Sequence, residues 1–310
     1  MLNYQTRHSL NRSPGSVSPG RDMGGIWLHG AEVTLEEVEQ VVERHGLDGN
    51  IVQDIFDKNE LPRIEYDESK NIYMFLRIAW RSKSKEIRTA PLLAVACGDD
   101  YITLSQTKSP QSSELAQLNS KNKDTVMSLL YTFASVIDNY EQLVHATADS
   151  VRNIKYRLRR HEATNEDFLQ FITIEENLAT YLYNLTAMLS MAERFREDKH
   201  SKLSLDHIEA LEDVMLHIKQ LKANVNSSVS AVSSIQNVYS TVSNNTLNQR
   251  MKLLTVVTLL VTVPNVFYGM YGMNVALPMA KEPWAYGAIV GFTVILMLIL
   301  AIIVRRSKLL

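Results

Sequence analysis

Near its end, an otherwise mixed polar and apolar chain carries two long runs without a charged side chain. The first, Leu253 to Tyr271, is about 19 residues and rises ~28 Å as a helix, enough to cross a hydrocarbon core of roughly 30 Å. The second, Trp284 to Val304, opens with Trp284 and Tyr286, aromatic residues that favour the membrane interface. The pattern predicts two transmembrane helices, 253–271 and 284–304, joined by an outer loop at 272–283. Arg250 and Lys252 precede the first span, and Arg305, Arg306 and Lys308 follow the second. The loop carries only Lys281 and Glu282. By the positive-inside rule both termini, including the basic tail 305–310, are expected in the cytoplasm and the loop outside.

Polar positions within the first span are ordered. Asn248, Met251, Thr255, Thr258, Thr262 and Asn265 follow in steps of three and four, which gathers them on one helical face. Threonine can bond the carbonyl one turn back and asparagine can join helices, so such residues can be structural. A stripe sustained over several turns also suits a water-lined ion path. Pro264 removes one main-chain hydrogen bond within the span and is expected to bend it. Two helices enclose no pore, so a path along this face requires several copies of the chain around an axis.

Ahead of that span, Ser204 to Gln249 contains neither proline nor glycine. Apolar residues at Leu211, Met215, Ile218, Leu221, Val225, Val229, Val232, Ile235, Tyr239 and Val242 recur in heptad-like steps, predicting a coiled-coil-like stalk helix, 204–252, continuous with the span. Asp213, Gln220, Ser227, Ser234, Thr241 and Asn248, seven apart, form a polar face. It reads equally as a solvated surface or as a continuation of the hydrophilic path.

The region 24–203 is expected to be a cytosolic α/β domain with long helices. Ile26-Trp27-Leu28, Ile72 to Trp80, Leu92 to Ala96 and Tyr101 to Leu104 are strand candidates, the last two joined by a Gly98-Asp99-Asp100 turn. Thr34 with Glu37 marks a capping box for a helix to about Arg44, and Leu47 to Phe56 predicts another short helix. Beyond Pro110 the pattern is helical, with segments Asp124 to Arg160 and Glu166 to about Lys199. Residues 1–23, which hold Arg7, Arg12 and Arg21 among Ser, Pro and Gly, read as a disordered tail.

Composition fits this division. The 310 residues are 45% hydrophobic with a formal charge of −2, and a mean hydropathy of −0.11 describes a mostly soluble chain with its apolar matter concentrated locally. Near-neutral charge gives no electrostatic case for a nucleic-acid partner. With Cys97 alone, an intrachain disulfide is impossible. No phosphate-binding GxxxxGK[ST] loop, HExxH, GxSxG or strand-linked GxGxxG is present, so the chain is not expected to be an enzyme or to hold an organic cofactor. His200, His207 and His217 lack regular ligand spacing and read as exposed helix histidines. Asp99 and Asp100 read as turn residues, and Lys155 to Arg160 as a solvated basic face.

Tyr271 followed by Gly272-Met273-Asn274, at the end of the first of two carboxy-terminal spans, resembles the signature of the CorA family of magnesium transporters. Ile51-Val52-Gln53-Asp54-Ile55 followed by Leu61-Pro62-Arg63-Ile64-Glu65-Tyr66 is similar to the family's segment before its third strand, so the resemblance covers about residues 24 to 310. It implies a funnel-shaped homopentamer in the cell membrane that takes up Mg2+, with Co2+ or Ni2+ as alternative cargo, and with Mg2+ also as regulatory ligand. It assigns Asn274 to a ring that receives the hydrated cation, with Gly272 and Met273 shaping the loop. Asn248, Met251, Leu254, Thr262 and Asn265 match pore-facing positions, Leu254 competing with Thr255 of the stripe. Asp54 and Asp213 match acidic positions that bind regulatory Mg2+ between subunits. When cytosolic Mg2+ falls, emptied sites are expected to loosen the subunit contacts and open the pore.

Leu277-Pro278-Met279-Ala280-Lys281-Glu282 departs from the family by delaying the loop's acidic residue and adding a lysine, which is expected to weaken cation attraction at the mouth. Two alternatives share parts of this architecture. One is a proton-coupled zinc transporter of the same superfamily, against which the methionine of Gly272-Met273-Asn274 speaks. The other is a membrane-anchored coiled-coil scaffold that conducts nothing.

Overall fold

The computed structural model describes residues 2–6, 25–107, 124–159, 165–198, 201–273 and 282–306. They divide into two compact units, Met1–Ser233 and Ser234–Leu310.

In the first unit a mixed six-stranded sheet is formed by β1 (Leu2–Thr6), β2 (Ile26–Ala31), β3 (Arg63–Tyr66), β4 (Ile72–Arg81), β5 (Ile87–Cys97) and β6 (Asp100–Ser105), in the order β1-β2-β6-β5-β4-β3. Only β2 and β6 pair in parallel, with Leu28 opposite Ile102. The β5–β6 hairpin turns where expected, at Gly98, whose φ of 54° suits a residue without Cβ. β4 is buried along most of its length, which is why it reads as a continuous apolar run rather than an alternation.

One face of the sheet, with Leu28, Tyr73, Phe75, Leu93, Val95, Ile102 and Leu104, forms a core with Val38 and Val41 of α1 (Leu35–His45), Val52 of α2 (Gly49–Gln53) and Ile55 of the following 3-10 turn. The expected capping box starts α1: Thr34 and Glu37 each accept the other's backbone N–H. Against β4 and β5 also lies α3 (Thr125–Arg159), whose Leu129, Leu130, Phe133, Val136, Ile137 and Tyr140 are buried. Tyr101 and Thr132 join hydroxyls between sheet and helix. α4 (Asn165–Glu197) follows, and its Asn177 side chain accepts from Ile87 N–H and donates to Lys85 O, holding the β4–β5 turn.

Three expectations need correction. Leu2–Thr6, assigned to a disordered tail, pairs as a strand with β2, while residues 7–24 lie outside the described residues. Arg63–Tyr66, given no strand, is an edge strand of the sheet, half-buried throughout, and its alternation of Arg, Ile, Glu and Tyr is only four residues long. His207 is buried rather than exposed. Its Nδ1 accepts the Ser204 N–H at 3.2 Å, so its proton lies on Nε2, which donates to Asp124 at 2.7 Å.

Asp124 thereby joins the starts of two helices. Its other carboxylate oxygen caps α3 through Val126 N–H and Met127 N–H, and His207 stands in the first turn of α5 (Leu205–Tyr271). Partial burial opposes the charge on Asp124, but the Met127 amide, His207 and the Val126 amide outweigh it, so the carboxyl titrates below its ordinary range. A depressed folded value gives stability that is complete above the unfolded value of about 3.9 and is lost as pH falls through the folded one. Thermal unfolding of the full chain and of Asp124→Asn from about pH 6 down to pH 2 tests this. The advantage of the wild type is expected to shrink as the pH falls, and a constant gap would remove Asp124 from the acid response.

Candidate functional site

α5 is one helix of 67 residues, with Pro264 inside it. Within the first unit its Leu211, Met215, Ile218, Leu221 and Val225 are buried, as the heptad pattern requires. Farther on, Val232 and Ile235 are buried, whereas Val229 and Val242 are exposed. All six residues of the seven-spaced polar face, from Asp213 to Asn248, are exposed. α5 is long and apolar enough to cross a membrane, and α6 (Ala285–Arg306) carries a shorter apolar stretch, Tyr286–Ile302.

In the second unit α5 and α6 touch through Phe267 and Phe292, edge to face at 5.3 Å between ring centres. Beside them the Tyr268 hydroxyl donates to Thr293 Oγ1 at 3.3 Å, and Thr293, buried, donates back to Ile289 O and Val290 O. The covered face of the span holds buried Val256 with half-buried Leu260, Val263 and Phe267. At about 100° per residue the stripe Met251, Thr255, Thr258, Thr262 and Asn265 centres on the opposite face, and every one of its members is exposed. Leu254, at the border of that stripe, is 67% exposed.

Two of the stripe's threonines make the backbone bond that sequence offered as their structural role. Thr255 and Thr258 donate their hydroxyl protons to Met251 O and Leu254 O, one turn back. Each oxygen keeps a lone pair that can accept from water. A hydrated cation presents water hydrogens outward, so an acceptor is what such a face must offer it.

At the helix end Gly272 N–H donates to Tyr268 O at 3.0 Å and Met273 N–H to Met270 O at 3.3 Å. A Cβ on Gly272 would stand 3.3 Å from Tyr268 O, so the tight last turn favours glycine. Asn274, Lys281 and Lys308 lie outside the described residues. Arg250, Lys252 and Arg306 are exposed, and Arg305 belongs to the last turn of α6.

The two acidic positions differ in their surroundings. Asp54 opens the 3-10 turn and is ion-paired to Arg63 at 2.6 Å. Arg63 also pairs with Glu60 and Glu65 and lies over the Phe75 ring at 4.4 Å from its centre. Three carboxylates thus share one guanidinium, a contact pattern that the sequence spacing did not reveal. Behind it, buried Arg77 donates to Lys58 O and Glu60 O, which fixes the loop carrying Glu60. Asp213 is exposed on α5.

A sheet flanked by helices, followed by one long helix that runs on into an apolar segment with a polar face, defines a membrane protein with a globular α/β unit ahead of its span. The chain belongs to the CorA-like Mg2+ transporter protein family, whose sequence profile matches residues 22–306. It is 23% identical over 292 residues to the cobalt/magnesium transport protein CorA of Methanocaldococcus jannaschii, across 91% of this chain and 90% of that protein. It is 20% identical over 304 residues to the protein of the same name from Thermotoga maritima, across 94% and 86%. Its fold is similar to the complete structure of the CorA magnesium transporter from M. jannaschii, with a TM-score of 0.85 at 20% identity over 99% of this chain and 98% of that one. The ZntB cytoplasmic domain from Vibrio parahaemolyticus also shares the fold, with a TM-score of 0.63 at 9% identity over 78% and 97%. Family membership places the chain among membrane transporters and not among enzymes.

Opposed covered and open faces on one helix have a direct chemical readout. With the native thiol removed by Cys97→Ser, Thr258→Cys and Thr262→Cys are expected to react readily with a charged, water-soluble thiol reagent in membranes. Val256→Cys and Thr293→Cys are expected to stay protected. Equal reactivity at all four positions would overturn the distinction between an open, watered face and a covered one, and unreactive cysteines at 258 and 262 would mean that the stripe faces no water.

Proposed function

We propose that the chain assembles as a homopentamer in the cell membrane and conducts Mg2+ into the cytoplasm, with Co2+ and Ni2+ as further cargo. The observation that carries this reading is the open polar stripe of α5, opposite the face that meets α6. Five copies arranged with that face inward would line a path with neutral amide and hydroxyl oxygens. Magnesium gives up its waters reluctantly, so a path of acceptors without carboxylates suits an ion that travels hydrated. Asn274, repeated in a ring after Gly272 and Met273, would receive the ion at the outer mouth. Both termini would be cytoplasmic, with Arg250, Lys252, Arg305, Arg306 and Lys308 at the inner surface.

Regulation would use Asp54 of one subunit and Asp213 of its neighbour as a shared Mg2+ site. Asp54 then holds a cation while Arg63 remains beside it, or exchanges one for the other. Loss of the ion at low cytosolic Mg2+ would leave carboxylates facing each other, and their repulsion would loosen the contact.

Purified protein in liposomes tests the cargo and the mouth together. Wild type is expected to take up Mg2+ without a proton gradient, and Asn274→Ala to fall to the level of empty vesicles. Undiminished uptake by Asn274→Ala removes the ring. Zn2+ uptake that requires a pH gradient, with none of Mg2+, would support the proton-coupled zinc transporter instead, and no flux of any cation would support the scaffold.

For gating, the current through Asp213→Asn is expected to require a higher internal Mg2+ concentration for inhibition than the wild type. An unchanged inhibition curve would remove Asp213 from the sensor.

A further inference from the structure

Away from the span, Asp138 and Glu141 stand one turn apart on the same face of α3, and His217 of α5 faces both. This corrects the reading of His217 as a simple exposed histidine, since it is only 27% exposed. Its Nδ1 is 3.7 Å from Asp138 Oδ1 and its Nε2 is 3.3 Å from Glu141 Oε2. Both separations exceed the usual range of an N–H···O hydrogen bond, about 2.7–3.2 Å. One imidazole therefore stands between two carboxylates without closing fully on either. One ligand atom from each of the three residues falls within 4.8 Å of the others. One turn beyond, His145 Nε2 is 3.4 Å from the second Glu141 oxygen, so another imidazole is adjacent.

We propose that Asp138, Glu141 and His217 form a binding site for a first-row transition-metal dication such as Zn2+, Co2+ or Ni2+, held within a single subunit. The donor set selects the class of ion. An imidazole nitrogen with two carboxylates suits these borderline metals, whose affinities for such sites exceed those of Mg2+, an ion that prefers oxygen and keeps its waters. Metal–ligand distances of about 2.0–2.2 Å bring donor atoms closer together than they stand here, and side-chain rotation on two surface-facing helices supplies that closure.

The site lies on two helices of the cytosolic unit, and α5 is the helix that runs on into the span. A bound ion would tie α3 to α5 at His217, one turn beyond Asp213. The same transporter could thus register a transition metal by a chelate separate from the shared Mg2+ site proposed above. Only that regulatory consequence rests on the transport reading, whereas the chelate does not.

The test is a Co2+ titration of the purified full chain in detergent, in excess Mg2+ to fill oxygen-only sites, followed by visible absorption of the Co2+ ion. Wild type is expected to saturate with one Co2+ per chain at this site and to release it to Zn2+. His217→Ala is expected to bind at least about tenfold more weakly and to lose the nitrogen-ligand signature, and Glu141→Gln to weaken binding by a similar factor. Because His217→Ala could loosen the helix pair, thermal midpoints are measured with and without Zn2+ for wild type and Glu141→Gln. A rise in the wild type that is smaller in Glu141→Gln supports the site. Co2+ binding unaffected by His217→Ala, or a midpoint that Zn2+ raises equally in both proteins, overturns it. Asn274→Ala, inert in flux, is expected to bind Co2+ as the wild type does, which separates this result from the fate of the transport reading.

Discussion

The main-chain hydrogen-bond ladder of α5, which runs on through Pro264 with one bond missing, is the constraint on which the rest depends. Inside a bilayer no water satisfies backbone amides, so a spanning segment must close its own hydrogen bonds. That requirement frees the side chains for other tasks, and α5 uses its two faces differently. Val256, Leu260, Val263 and Phe267 are the covered side, while Thr255, Thr258, Thr262 and Asn265 remain open. Threonine is suited to the open side because it can donate to its own helix and still accept from outside. For the proposed path, aliphatic residues there would offer nothing to hold a hydration shell, and carboxylates would bind the ion more firmly.

The first unit depends on a different balance. Its sheet core is apolar on both faces of β4, yet the polar groups next to it are tightly paired: Arg77 to two carbonyls, Arg63 to three carboxylates and Asp124 to His207 and two amides. Each pairing connects segments distant in sequence or holds a loop against the sheet. Buried polar groups cost heavily when left unmatched, so these contacts specify where the loops and helix starts go even where their net stabilisation is small.

Periodicity shows through in the sequence where one face is buried over many residues. β4, the β5–β6 hairpin, the capped α1 and the heptad-spaced buried residues of α5 carry that signal. It fails where the pattern is broken for a local reason. Pro91 and Arg88 interrupt β5, which nevertheless runs from Ile87, because Pro91 lies just past the end of its pairing with β6 and pairs only with Arg77 of β4. β3 is an edge strand whose Arg63 and Glu65 have polar work to do, and β1 depends on a partner strand some twenty residues away. The exposed polar stripe of α5 was legible because helical spacing is local. The Asp138, Glu141 and His217 cluster was not, since it joins residues of two helices far apart in sequence.

Pro264 brings these constraints together. It lacks the N–H that would bond Leu260 O, so it weakens the ladder at one point, yet α5 continues through it to Tyr271. Leu260 and Pro264 are both half-buried, on the side nearer α6 than the stripe. A freed carbonyl is costly in hydrocarbon unless protein or water reaches it. The side of the helix turned toward a neighbouring helix is where that cost is least exposed to lipid. The same position lies between Thr262 and Asn265 of the stripe, so any bend there changes the angle between the lower threonines and the glycine-rich turn. The proline therefore leaves one missing main-chain bond between the lower threonines and Gly272, and α5 still continues through it as one helix.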